Sequence, residues 1–166
     1  LPVVIWLHGH ECTGCDESFI RSGAPLASDL VLNCIALEYS HVLSAGCGAP
    51  FEEHLEKTME KYHGEYILAV EGGVAVGTHA YTCMSGGHSF EHTLKRVAEG
   101  AKAVVAYGTC ATSGGIQAAA PNPTESRGIR SLIGAKPYIA VPGCPPIPEV
   151  MTGVLMPVSY THLTLP

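Results

Sequence analysis

Five short apolar runs, rich in β-branched residues, alternate along this chain with stretches of helical spacing. A strand buried on both faces needs such a run, and an intervening helix returns the chain to start a parallel neighbour. The runs are Val3 to His8 (VVIWLH), Leu30 to Tyr39 (LVLNCIALEY), Tyr66 to Val70, Ala103 to Tyr107 and Tyr138 to Val141. Helices are predicted around Glu17 to Ser22 and over Phe51 to Tyr62, where Phe51, Leu55, Met59 and Tyr62 share one face. Gly64 ends the second of these. Ser89 is placed to cap a third, running to about Gly100. A fourth is predicted after Cys110, closed by Pro121 and Pro123. The alternation predicts an α/β fold, a doubly wound parallel five-stranded sheet with the flavodoxin-like strand order. Such sheets bind ligands beyond the carboxyl ends of their strands.

Bulk properties narrow the function. The 166 residues suffice for one domain with a substantial core. A formal charge of −6, with no basic patch, argues against a nucleic-acid partner. Only 14% of residues are charged, which fits a surface covered by a partner or a piece of a longer chain. No apolar stretch reaches the ~20 residues of a membrane helix. The chain opens at Leu1-Pro2 without a Met or a signal peptide, so upstream sequence is expected to be missing.

Seven cysteines in a chain of this size and apolarity do not read as a disulfide framework. Four of them follow strands. Cys12 and Cys15 (ECTGCDESF) follow the first, Cys110 (YGTCATSGG) the fourth and Cys144 (VPGCPP) the fifth. Three loops thus present four thiols at one sheet edge, with no matching histidines. That donor set suits an iron–sulfur cluster or a zinc ion. CxxC alone fits a redox pair, half a zinc site or half a cluster site. A redox pair leaves Cys110 and Cys144 unexplained, and structural zinc favours two paired knuckles. Glycines beside the cysteines (Gly14, Gly108, Gly143) open backbone N–H groups to cluster sulfurs, and helix N-termini favour the negative charge.

The other candidates have plainer readings. Cys34 reads as a small buried apolar residue in mid-strand. Cys47 and Cys83 become ligand candidates only if the set of four fails. Glu11 and Glu71 are placed to relay protons, to meet a partner, or simply to accept loop hydrogen bonds. His8 and His10 read as hydrogen-bonding neighbours or surface groups.

The segments WLHGHECTGCDESF, ILAVEGG, GTCATSGGIQAAAPNPT and VPGCPPIPEVMTGV resemble the small subunit of nickel–iron hydrogenases, from Leu1 to about Leu155. The resemblance implies a flavodoxin-like domain over residues 1–157. Its Cys12, Cys15, Cys110 and Cys144 would hold the proximal 4Fe–4S cluster, beside the nickel–iron site of a separate large subunit. It implies electron transfer during H2 oxidation or production, with no catalytic residue in this chain. Oxygen-tolerant members carry extra cysteines at the positions of Gly14 and Gly115, so this chain resembles the standard type. The APNPT-containing pattern resembles periplasmic, membrane-associated uptake enzymes, with a cytochrome b or cytochrome c as electron acceptor. Two other readings stand beside this one. A related subunit of complex I carries adjacent cysteines where this chain has a spaced CxxC. A zinc-stabilised scaffold domain would use the same thiols without redox chemistry.

Family small subunits continue into a domain with medial and distal clusters, whose ligands do not occur in this chain. Residues 158–166 resemble a translated sequencing adapter. They are expected to be a non-native tail that packs poorly beyond a helix stopped at Pro157, leaving His162 without a role. The face carrying the CxxC loop, Glu71 and residues 72–87 is expected to meet the large subunit.

Overall fold

The computed structural model describes residues 1–160. Its main sheet holds five parallel strands: β1 (Val3–His8), β2 (Ala36–Ser40), β3 (Ile67–Glu71), β4 (Ala103–Tyr107) and β5 (Tyr138–Val141). Side by side they follow the order second, first, third, fourth, fifth, as the flavodoxin-like reading requires. The register sets Ile5 against Leu68, Leu68 against Val104, and Val105 against Ile139. Among the described residues its five longer helices are α1 (Gly14–Ile20), α2 (Gly48–Lys61), α3 (Phe90–Gly100), α4 (Gly108–Ser113) and α5 (Pro148–Tyr160).

Strand side chains alternate between faces, and two cores result. Ile5, Leu7, Leu68, Val70, Val104 and Ala106 pack with Leu55 of α2 and with Leu94 and Val97 of α3. Val4, Trp6, Ile67, Ala69, Val105 and Tyr107 pack with Phe19 of α1 and with Met151 and Leu155 of α5. Trp6 is fully buried, edge-on to Phe19 at 5.0 Å and stacked on Tyr107 at 5.2 Å. The same alternation puts His8 and Glu71 on the α1 face, because they share parity with Trp6 and Ala69. Ser89 caps α3 as expected, accepting a hydrogen bond from the His92 N–H at 3.3 Å.

Three local expectations need correction. Leu30–Cys34 is helical, continuing Ala27–Asp29 as a π-turn in which the Ile35 N–H reaches the Leu30 carbonyl at 3.0 Å. A short apolar run does not separate strand from buried helix, and Leu30 is needed against the second core. Cys34 therefore sits half-buried at a helix end, not in mid-strand. The helix at Cys110 begins earlier, at Gly108, and ends at Gly114 (φ +99) well before the prolines. The glycine-rich stretch before α3 contains a 3-10 turn over Gly77–Thr82 and a tight hairpin pairing Met84 with Ser89. Finally, α5 runs through Pro157 to Tyr160. Met151, Leu155 and Val158 fall at helical spacing and are all buried in the second core, which offsets the donor lost at the proline. Val158, assigned to a poorly packing tail, is thus part of the core. The rest of that tail, with His162, lies outside the described residues.

Candidate metal centre

Three loops leave the carboxyl end of the sheet and meet. Cys12 and Cys15 follow β1, Cys110 lies in the first turn of α4 after β4, and Cys144 follows β5. All four line one cavity of about 100 Å³, together with Glu11, Glu71 and Thr109. A wider recess of about 530 Å³ shares Cys12, Cys110 and Cys144 and is bordered by Ile116 and Gln117. Cys83 packs against the first core, and exposed Cys47 lines a different recess beside His41 and Glu52. The structure thus brings together the four cysteines chosen from the sequence and leaves the other described cysteines out.

The loops are tied to one another by backbone. The Thr109 N–H donates to the Gly143 carbonyl at 2.8 Å, and the Gly143 N–H donates to the Thr109 hydroxyl at 3.2 Å. His10 and Gly73 exchange two backbone bonds of 2.9 Å, joining the loops after β1 and β3. Ser18 of α1 donates to the Pro146 carbonyl, and Gln117 donates to the His10 carbonyl. The cavity rim is therefore a bonded ring of segments distant in sequence.

Glycines keep the sulfurs clear. A Cβ at Gly108 (φ +84) would lie 2.5 Å from the Cys15 Sγ, and one at Gly115 (φ +67) would lie 2.5 Å from the Cys110 Sγ. A Cβ at Gly14 would meet the Cys12 Sγ at 3.1 Å. Burial raises the pKa of Cys15, and the Glu71 charge and neighbouring thiols add to it. Burial likewise raises Cys110. Thiols crowded this way resist ionisation on their own; a bound metal centre reverses that and favours thiolate. Four convergent soft donors in a space kept free by glycine fit an iron–sulfur cluster, and they also fit zinc.

Residues 12–158 match the family model described as NADH ubiquinone oxidoreductase, 20 Kd subunit. The chain belongs to this family. It is 54% identical over 152 residues to the uptake hydrogenase small subunit of Azotobacter vinelandii, covering 92% of this chain and 42% of that protein. It is 51% identical over 152 residues to the hydrogenase-1 small chain of Citrobacter freundii, covering 92% of this chain and 40% of that one. The chain thus spans about two fifths of the length of these curated relatives. Among solved structures, the Ni-Fe-Se hydrogenase from Desulfomicrobium baculatum superposes with a TM-score of 0.88 at 33% identity, covering 92% of this chain and 60% of that chain. The [NiFeSe] hydrogenase from Desulfovibrio vulgaris Hildenborough does so at 0.88 and 35% identity, with 93% and 58% covered. The resemblance to hydrogenase small subunits read from the sequence therefore stands.

In this family member, a buried polar network lies directly beneath the CxxC loop. The Glu71 carboxyl accepts the backbone N–H groups of Cys15 at 3.0 Å and Asp16 at 3.1 Å. His8 Nε2 pairs with Asp16 Oδ2 at 2.9 Å, and its other ring nitrogen lies 3.4 Å from His41 Nδ1. Ligand atoms of His8, Asp16 and Glu71 all lie within 4.8 Å of one another. Two buried carboxyls this close disfavour each other's ionisation. Burial and the neighbouring Asp16 push the Glu71 pKa up to about 9. Burial opposes ionisation of Asp16, but hydrogen bonds from His8 and Glu71 outweigh it and hold its pKa low. Glu71 is only 1% exposed, which removes it from any partner surface and corrects the interface role considered for it. His8 is buried with it, whereas His10 bonds Ser126 and the Thr82 carbonyl. Glu11 lines the cavity, and burial raises its pKa. The role of Glu71 beneath α1 was readable only as strand parity, a signal too weak to isolate from one sequence.

Proposed function

We propose that this chain is the electron-transfer small subunit of a nickel–iron hydrogenase and holds its proximal 4Fe–4S cluster through Cys12, Cys15, Cys110 and Cys144. The observation that carries the reading is the meeting of four thiols from three strand ends in one glycine-lined cavity, in a chain 51% to 54% identical to hydrogenase small subunits. When bound, such a cluster supplies one-electron transfer. The chain's own residues would hold it and orient it. Electrons would pass to or from the nickel–iron site of a large subunit during H2 oxidation or production. Ile116 (88% exposed) and Ile147 (64%) stand near the cysteines, and Tyr81 (70%) and Met84 (53%) stand exposed within residues 72–87. Apolar side chains left open around a charged centre suit a surface covered by that subunit. Medial and distal clusters would belong to sequence outside this chain. The APNPT-containing pattern is the ground for placing the enzyme in the periplasm, associated with a membrane and handing electrons to a cytochrome b or cytochrome c. No helix among the described residues is long and apolar enough to cross a membrane. The spaced CxxC favours this reading over a complex I subunit, although the family description spans both.

Anaerobic reconstitution with iron and sulfide tests it. A broad visible absorption, about four irons per chain and an EPR signal on reduction are expected. Zinc uptake in place of iron would establish the scaffold reading instead. Serine at any of the four cysteines is expected to deplete or alter the cluster, because a hard alkoxide replaces a soft thiolate. Serine at Cys83 or Cys47 is expected to leave it intact.

A further inference from the structure

We infer that Glu71 is a positioning residue: its carboxyl group caps the first turn of α1 from the end of the neighbouring strand β3 and thereby sets the direction in which Cys15 presents its sulfur. The inference rests on the cluster reading above and adds to it a residue outside the ligand set.

The opening turn of a helix has N–H groups with no partner inside the helix. The residue before it usually supplies one from its side chain. Thr13 does not: its backbone is left-handed (φ 64), it makes no capping bond, and its hydroxyl turns to Glu11. Glu71 takes over, accepting from Cys15 with one oxygen and from Asp16 with the other. Two bonds from one planar carboxyl to consecutive N–H groups restrict rotation of the peptide between them. That peptide carries the proposed ligand. Glu71 is itself immobilised. It is the last residue of β3, is buried, and its carbonyl accepts the Gly9 N–H at 2.8 Å. Asp16 adds to the clamp, since its carboxylate Oδ2 is held by His8. Partners of this kind, one step beyond the ligands, typically contribute about 10- to 100-fold to metal retention.

The test uses the hydrogenase complex that contains this chain, purified without air. Cys110→Ser first marks the EPR signal that belongs to this site. If no signal changes in that variant, the cluster reading fails and this inference with it. Glu71→Met keeps the volume but accepts no hydrogen bond. It is expected to release the marked cluster's iron to a chelator about 10-fold faster than wild type. Glu71→Gln keeps the bond from Cys15 through its carbonyl, while its amide cannot accept from Asp16. It is expected to retain iron at the wild-type rate and to shift the g-values of the marked signal. A Glu71→Met complex with wild-type chelator resistance and an unchanged signal would overturn the inference. If that variant does not fold, Glu71→Gln decides alone: unchanged g-values and an unchanged midpoint potential would overturn it equally.

Discussion

Gly108 and Cys15 face each other across the cavity so closely that a single methyl on the glycine would sit 2.5 Å from the sulfur. The glycine also has a positive φ of 84°, where an L side chain is strained. Gly108→Ala is therefore expected to do two things at once. It should cost about 1–3 kcal/mol of stability through strain and overpacking, read in denaturant titrations of the protein without iron. It should also displace the Cys15 sulfur and lower iron retention. Unchanged stability together with full iron content would count against the close approach.

The two glycines at the positions of the extra cysteines bear on air sensitivity. Gly14 and Gly115 each lie against a cavity sulfur. With neither replaced by cysteine, the assembled enzyme is expected to lose H2-oxidising activity on exposure to air. Activity that persists under sustained oxygen would contradict the assignment to the standard type.

Stability should depend on pH through Glu71. Its pKa is about 9 in the folded chain against an ordinary value of 4.5. Between those values the folded chain binds the extra proton and the unfolded chain does not. Raising the pH therefore favours unfolding, and the stabilisation present below about pH 4.5 is lost as pH rises through the folded-state pKa. Melting of the iron-free protein is expected to fall in temperature from pH 5 towards pH 9. Glu71→Gln, which cannot titrate, should flatten that slope, and a parallel slope in both proteins would refute the attribution.

Val158 bears on where the expected non-native tail would begin. Its side chain is 5% exposed within the second core. Val158→Ala removes two methyl groups and is expected to cost about 1.5 kcal/mol. Loss of residues 161–166 is expected to leave that figure untouched. A neutral Val158→Ala would count against a core role for residue 158.

Much of this architecture was legible because parallel strands buried on both faces have to be apolar throughout. VVIWLH, ILAVE and AVVAY announce themselves that way, and the four cysteines could be chosen because each follows such a run. Leu30 to Cys34 misled for the same reason: apolarity without period is shared by a buried helical turn. Pro157 misled because a local penalty was weighed without the tertiary packing of Met151, Leu155 and Val158 that outweighs it. The clamp beneath α1 was not legible. A glutamate at a strand end looks identical in sequence whether it turns towards solvent or towards the backbone of a loop more than fifty residues away.

The cysteines that share the cavity come from both ends of the chain, and the sheet order sets their strands apart in synthesis though close in space. On the ribosome, Cys12 and Cys15 emerge long before Cys144. Until β5 docks beside β4, Cys144 has no partners, and an early CxxC can hold only half a metal centre. Completion of the proposed site therefore has to wait until β5 is in place beside β4. Any factor delivering iron and sulfide would meet an assembled five-stranded sheet, and that ordering guards the first two thiols against capture by the wrong metal only if they stay covered in the meantime.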